Sequence, residues 1–171
     1  MSVDQLTLLT PGLVAQVSGT LTKSQYTTGT VFVDHATDFG YVHLQKSSSA
    51  ADIVEAKEAF ERFASTRGVR IQYYHADNGV FSSKEWRSKC NQSGQGLMFA
   101  GVNAHHQNGR AEQRRIGILQ DLTRTSLSQA NRRWPTTNTA NLWPHAMRMR
   151  CGESCPEPQV PRRWKRLVKP G

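Results

Sequence analysis

The sequence predicts a mixed α/β fold, a β-sheet covered by helices. Two features carry this: strand-like runs dominate the first half of the chain, and helical and strand patterns then alternate to about Ala130. A third supports it, since 37% of the 171 residues are hydrophobic, enough to bury a core, while no run nears the roughly 18 apolar residues that span a bilayer.

Val3 to Leu9 is the first β-like run, and Thr10-Pro11-Gly12 after it reads as a turn. Gly19 to Gln25 is irregular or a hairpin segment. Thr30-Val31-Phe32-Val33 and Phe39 to Leu44 are two apolar strands joined by a polar loop, Asp34 to Asp38. Ser49 with Asp52 resembles a capping box, Ile53, Ala56, Phe60 and Phe63 recur at helical spacing, and Gly68 stands at the stop. Val69 to His75 follows as a strand ending in Ala76-Asp77-Asn78-Gly79. Ser82 to Cys90 suggests a short helix, Leu97 to Phe99 a short strand, and Arg110 to about Ala130 a long helix. From Met149 onward the chain holds four prolines among basic residues, which argues against a packed element. The expected division is a core over residues 1–150 and a disordered, basic, Pro-rich tail over residues 151–171.

Charge is unevenly placed. Residues 1–105 hold nine Lys/Arg and nine Asp/Glu, so the whole net charge of +9 falls in the last 66 residues. A neutral body with one basic side suggests a polyanion docked there, against the plainer reading of a solvated basic face. The N-terminus has no basic stretch ahead of an apolar run, so a signal peptide is not expected, and an intracellular location, nucleus or cytoplasm, is. Cys90, Cys151 and Cys155 are an odd number; His145 with Cys151 and Cys155 has poor spacing for zinc, and free thiols are the better reading.

Three carboxylates stand out. Asp77 ends an apolar strand, where a loop leaves it open to solvent, although Asp-Asn-Gly is also ordinary turn chemistry. Glu112 falls on the inward arc of the long helix with Ile116, Leu119, Leu122, Leu127 and Ala130, in what reads as its first turn, where the helix dipole favours the ionised form. Arg110, Arg114 and Arg124 lie on the opposite side with Asp121. Asp4 shares a strand face with Leu6 and Leu8, a costly place for a carboxylate unless paired, neutralised or bound to metal; a frayed terminal strand is the plainer reading. Convergent carboxylates suit Mg²⁺, a hard ion that takes oxygen ligands.

In order along the chain, Phe32-Val33-Asp34-His35 through Tyr41-Val42, then His75-Ala76-Asp77-Asn78-Gly79, then Gln107-Asn108-Gly109-Arg110-Ala111-Glu112 resemble the integrase catalytic core of copia-type retrotransposons. Asn141 to Ala146 resembles the helix after that core, and the likeness covers about residues 2–150. The resemblance implies a ribonuclease-H-like fold, a mixed sheet flanked by helices, with Asp4, Asp77 and Glu112 as the triad holding Mg²⁺ or Mn²⁺. Asp77 and Glu112 are separated by 34 residues. Asp34 matches a family position outside the metal ligands.

The implied activity is two-metal phosphoryl transfer on DNA: 3′-end processing, then strand transfer. Asn108, Arg110, Arg114 and Arg124 would contact DNA, with Gln107 to Gly109 as a mobile loop beside the site. Element ends and target DNA are the implied partners, with a homo-oligomer and no membrane. The likeness also implies a core clipped before Asp4, without the His/Cys zinc module, and a tail beyond Arg148 foreign to the family, as a frame change in a decayed copy would give. The alternative is a catalytically inactive nucleic-acid-binding remnant; a nuclease that cuts without joining is a third reading, and the fold alone does not separate them.

Overall fold

The computed structural model describes residues 1–14, 25–37, 39–100, 105–136 and 140–154, of which 105–116 and 150–154 are described in backbone only. The described elements are β1 (Ser2–Leu13), β2 (Gln25–Val33), β3 (Gly40–Gln45), α1 (Ala50–Ser65), β4 (Tyr73–Ala76), α2 (Lys84–Gln92), β5 (Gly96–Phe99), α3 (His105–Arg133) and α4 (Trp143–Ser154). Short 3-10 turns at Val80–Ser82 and Ala140–Leu142 precede α2 and α4. The order anticipated from the sequence, three strands, helix, strand, helix, strand and helix, is the order found.

The strands form one sheet in the order β3-β2-β1-β4-β5. β2 runs antiparallel to both β1 and β3, whereas β4 is parallel to β1 and to β5. Side-chain alternation divides the sheet's residues between two cores. On one face Val3, Phe32, Tyr74 and Ala76 pack with Ile53, Ala56 and Phe60 of α1 and Trp86 and Cys90 of α2. There Phe32 stacks on Phe60 with ring centroids 4.4 Å apart, and Trp86 meets Tyr74 edge-on at 5.4 Å. On the other face Leu6, Val31, Val33 and Leu44 pack with Leu119 of α3 and Trp143 and Met147 of α4. Asp4 has the same parity as Leu6, so it lies on the α3 side, as its alternation implied.

Several local expectations change. Thr10-Pro11-Gly12 does not end β1, which continues to Leu13. Its pairing with β2 lapses between Thr7 and Gly12, so the missing N–H of Pro11 breaks no ladder bond. Gly12 allows a close approach: a Cβ there would overlap Pro144 Cγ and the Trp143 ring, whose Nε1 donates to Thr10 O at 2.8 Å. The strand expected over Val69 to His75 shrinks to Tyr73–Ala76. Val69 N donates to Ala64 O at 3.0 Å to close the end of α1, and Ile71 is buried without strand pairing, so their apolar character serves packing.

The capping box at α1 is half formed. Ser49 Oγ accepts from Asp52 N at 3.2 Å, but the Asp52 carboxylate accepts from Ser47 N and Oγ, at 3.0 and 2.6 Å, instead of from Ser49 N. Gly68 does adopt the left-handed conformation expected at the stop, with φ of 71°. The long helix begins at His105, so Gln107-Asn108-Gly109 belongs to α3 and is no loop in its backbone. A glycine inside a helix costs only about 1 kcal/mol against alanine, a small part of a helix of 29 residues. Helix α4 crosses residue 150 and ends at Ser154; most of Gly19–Gln25, together with Cys155 and the rest of the tail, lies outside the described residues.

A polar cluster ties α1 to the sheet from within the first core. Lys57, fully buried, pairs with Glu61 at 2.9 Å. The same Glu61 oxygen accepts from Tyr74 Oη at 2.9 Å and Gln95 Nε2 at 2.5 Å. Burial, with the neighbouring Glu61 charge second, pushes the Tyr74 phenol far above its usual value.

Candidate functional site

Asp4 and Asp77 reach the same place from two parallel strands. The register pairs Ser2 with His75 and Val3 with Ala76, so the next residue of each chain segment is a carboxylate. Asp4 lies on the α3 side of the sheet, half-buried on its strand, and Asp77 is exposed just beyond the end of β4. Parallel pairing brings together side chains far apart in sequence; here it juxtaposes two like charges.

Burial raises the Asp4 pKa above the ordinary carboxylate value, and the charge of Asp77 raises it further, against a lowering by the Gln5 backbone N–H, which donates to Asp4 Oδ1 at 2.7 Å. Asp77 Oδ1 accepts from Asn78 N at 2.6 Å, and Asn78 Nδ2 donates to Ala100 O at 3.0 Å, fixing the turn that follows β4 against the end of β5. The Asp-Asn-Gly turn and the exposed carboxylate are therefore one construction.

Glu112 is carried by α3, the helix over this face, but it is the eighth residue of that helix instead of a first-turn residue, so the end-of-helix field no longer bears on it. The side chains of Glu112, Asn108, Arg110 and Arg114 lie outside the described residues. Among the described residues no three His, Cys, Asp or Glu side chains gather at one point. Asp34 plays the role of a turn former: its Oδ2 accepts from Thr37 N at 3.0 Å and Thr37 Oγ1 at 2.6 Å. Arg124 is on the outward side of α3, 75% exposed and 3.5 Å from Asp121, as the helical projection implied.

Three neighbours of the carboxylate pair escaped the sequence reading. Ser2 and His35 are hydrogen-bonded through Oγ and Nε2, joining β1 to the loop after β2 two residues from Asp4. His75 stands two residues before Asp77 on β4, and burial, then His35 and the N-terminal amine, lower its pKa. The strand alternation through Ser2-Asp4 and His75-Asp77 was the available signal.

Two carboxylates of this kind, one half-buried and repelled by the other, fit a divalent cation, which supplies the positive charge that the pair lacks.

No protein-family profile matches the sequence, and no curated protein matches it. Solved structures do match. A chain of the simian T-cell lymphotropic virus intasome superposes with a TM-score of 0.59 at 15% identity, over 85% of this chain and 45% of that one. The HTLV-2 integrase catalytic core domain in complex with magnesium, in its dimeric form, gives 0.52 at 17% identity, over 85% and 80%. The BIV integrase catalytic core gives 0.54 at 12% identity, over 85% and 78%. This chain thus spans less than half the length of the intasome chain. The fold is the ribonuclease-H-like fold of integrase catalytic cores, a five-stranded mixed sheet with helices on both faces. Among the described residues no helix is long and apolar enough to cross a membrane.

Proposed function

We propose that this chain is the catalytic core of a copia-type retrotransposon integrase, a polynucleotidyl transferase acting on DNA ends. The observation that carries the reading is the parallel placement of Asp4 beside Asp77, with the charge of one felt by the other. Asp4, Asp77 and Glu112 would hold Mg²⁺ or Mn²⁺. Such ions, when bound, activate an attacking oxygen and stabilise the leaving one in phosphoryl transfer.

The chain's own residues have separate tasks. Strand β1 fixes Asp4 at half-burial, and the turn bonded through Asn78 holds Asp77 at its rim, so the two carboxylates are set before substrate arrives. Glu112 would supply a third oxygen ligand from α3. Asn108, Arg110, Arg114 and Arg124 take up DNA phosphates along the same helix, giving sequence-independent affinity. DNA ends and target DNA are the substrates, a homo-oligomer is the working form, and a nuclear or cytoplasmic location follows from that role. The core extends over residues 1–150, with residues 151–171 as an appended basic tail.

Strand transfer with short duplex ends and Mn²⁺ tests this reading, comparing the parent protein with Glu112→Gln. Joined product from the parent and its loss in the variant is the expected result; equal product from both would remove Glu112, and the catalytic assignment, from consideration.

A further inference from the structure

The far end of α3 presents a second cationic surface, distinct from Arg110, Arg114 and Arg124. Arg132, Arg133 and Trp134 are all exposed, and Trp134 keeps 56% of its surface open to solvent. A tryptophan is among the largest apolar groups a chain can expose, and its position is fixed: Trp134 N donates to Ala130 O at 2.8 Å, continuing the helical pattern by one residue. The Arg133 guanidinium lies over its ring, 5.4 Å from the centroid.

Arg124 has Asp121 as its partner, but among the described residues neither Arg132 nor Arg133 is ion-paired with an acidic side chain. Basic residues in a last turn also complement the helix dipole, which accounts for a cation there but not for an exposed indole beside it. At 1.5 Å per residue, Arg132 stands about 30 Å along the helix from Glu112, too far to touch the same phosphate as the carboxylate site.

We propose that Arg132, Arg133 and Trp134 form a second nucleic-acid contact, in which the arginines bind phosphates of a strand and the open face of Trp134 stacks an unpaired base. The charge selects a polyanion, and the aromatic face selects one that offers flat π-surfaces, which every nucleotide of a strand does and an acidic peptide does only where it carries an aromatic residue. Arg133 lies over the ring, and the exposed part of the indole is what a base would cover. The contact needs no metal and no chemistry at the carboxylates.

The test is binding of a fluorescein-labelled thymidine homopolymer to the full chain in metal-free buffer, over a series of salt concentrations. Trp134→Ala is expected to weaken binding about fivefold or more, the loss of one base stack. Arg132→Ala with Arg133→Ala is expected to weaken binding at low salt and flatten the slope of log affinity against log salt by roughly 1.4, about 0.7 per lost phosphate contact. All three positions are exposed, so unchanged thermal melting is expected and separates lost contact from lost fold. If the parent binds and the variants bind equally with the same slope, this proposal is overturned while DNA binding along the rest of α3 stands. If the parent does not bind at all, both fall. An arginine effect without a Trp134 effect overturns the stacking contact.

Discussion

Val3 pairs with Ala76 across a parallel ladder, so Asp4 and Asp77 are the next residues along the two neighbouring chain segments. Neither carboxylate would be notable alone. Asp77 is an exposed turn residue and Asp4 sits near the start of a strand. The register brings them together, and the Asp4 pKa is raised first by burial, with the Asp77 charge adding to it.

Because burial and Asp77 raise the Asp4 pKa, the folded chain holds that proton more tightly than the unfolded one. The associated stability is full below the ordinary aspartate pKa and is lost as pH rises through the folded value. At neutral pH, without metal, ionised Asp4 is therefore a cost. Asp4→Asn should raise the melting temperature in chelator, and Mn²⁺ should raise that of the parent but not of the variant. Thermal melting with and without Mn²⁺ checks both, and a variant that melts lower in chelator would argue against the repulsion.

The polar cluster around Glu61 gives a stability prediction. Glu61→Ala leaves Lys57 buried without its counter-charge, which should cost about 3 kcal/mol or more in denaturant unfolding. A cost within about 0.5 kcal/mol would mean that water reaches Lys57.

Tyr74 predicts the alkaline arm. Its pKa is raised in the folded chain, so its stabilising contribution is full below pH about 10 and declines above it, by up to about 1.4 kcal/mol per pH unit. Tyr74→Phe should be less stable at pH 8 but lose less on going to pH 11, measured by urea unfolding at the two values. Parallel losses in both proteins would remove Tyr74 as the cause.

Gly12 marks where α4 presses on β1. Gly12→Ala should destabilise by about 1–3 kcal/mol, because the added Cβ overlaps both Trp143 and Pro144 and the ring cannot move without losing the bond to Thr10 O. An unaltered unfolding midpoint would show that α4 can shift at little cost.

Much of this was legible in the sequence because periodicity and alternation are local. Ile53, Ala56 and Phe60 declared α1, and Asp4 with Leu6 declared its strand face, both as found. What misled was residue chemistry that serves two ends. Pro11-Gly12 reads as a turn, yet here it admits Trp143 to a strand whose pairing has lapsed. Asn108-Gly109 reads as a break, yet a long helix absorbs it. Val69 and Ile71 look like strand residues because packing and pairing favour the same side chains. The site was half legible. Asp4 and Asp77 could be nominated singly, but their adjacency depends on a parallel register that no local pattern encodes. Ser2, His35 and His75 join them for the same non-local reason.

Asp4 and Asp77 are expected to bind one divalent cation together. Mn²⁺ uptake, followed by loss of the free-ion signal in electron paramagnetic resonance, measures that on the parent, Asp4→Asn and Asp77→Asn. Uptake by the parent and its loss in each single variant is the predicted result. Equal uptake by all three proteins, or none by the parent, would contradict a shared carboxylate site.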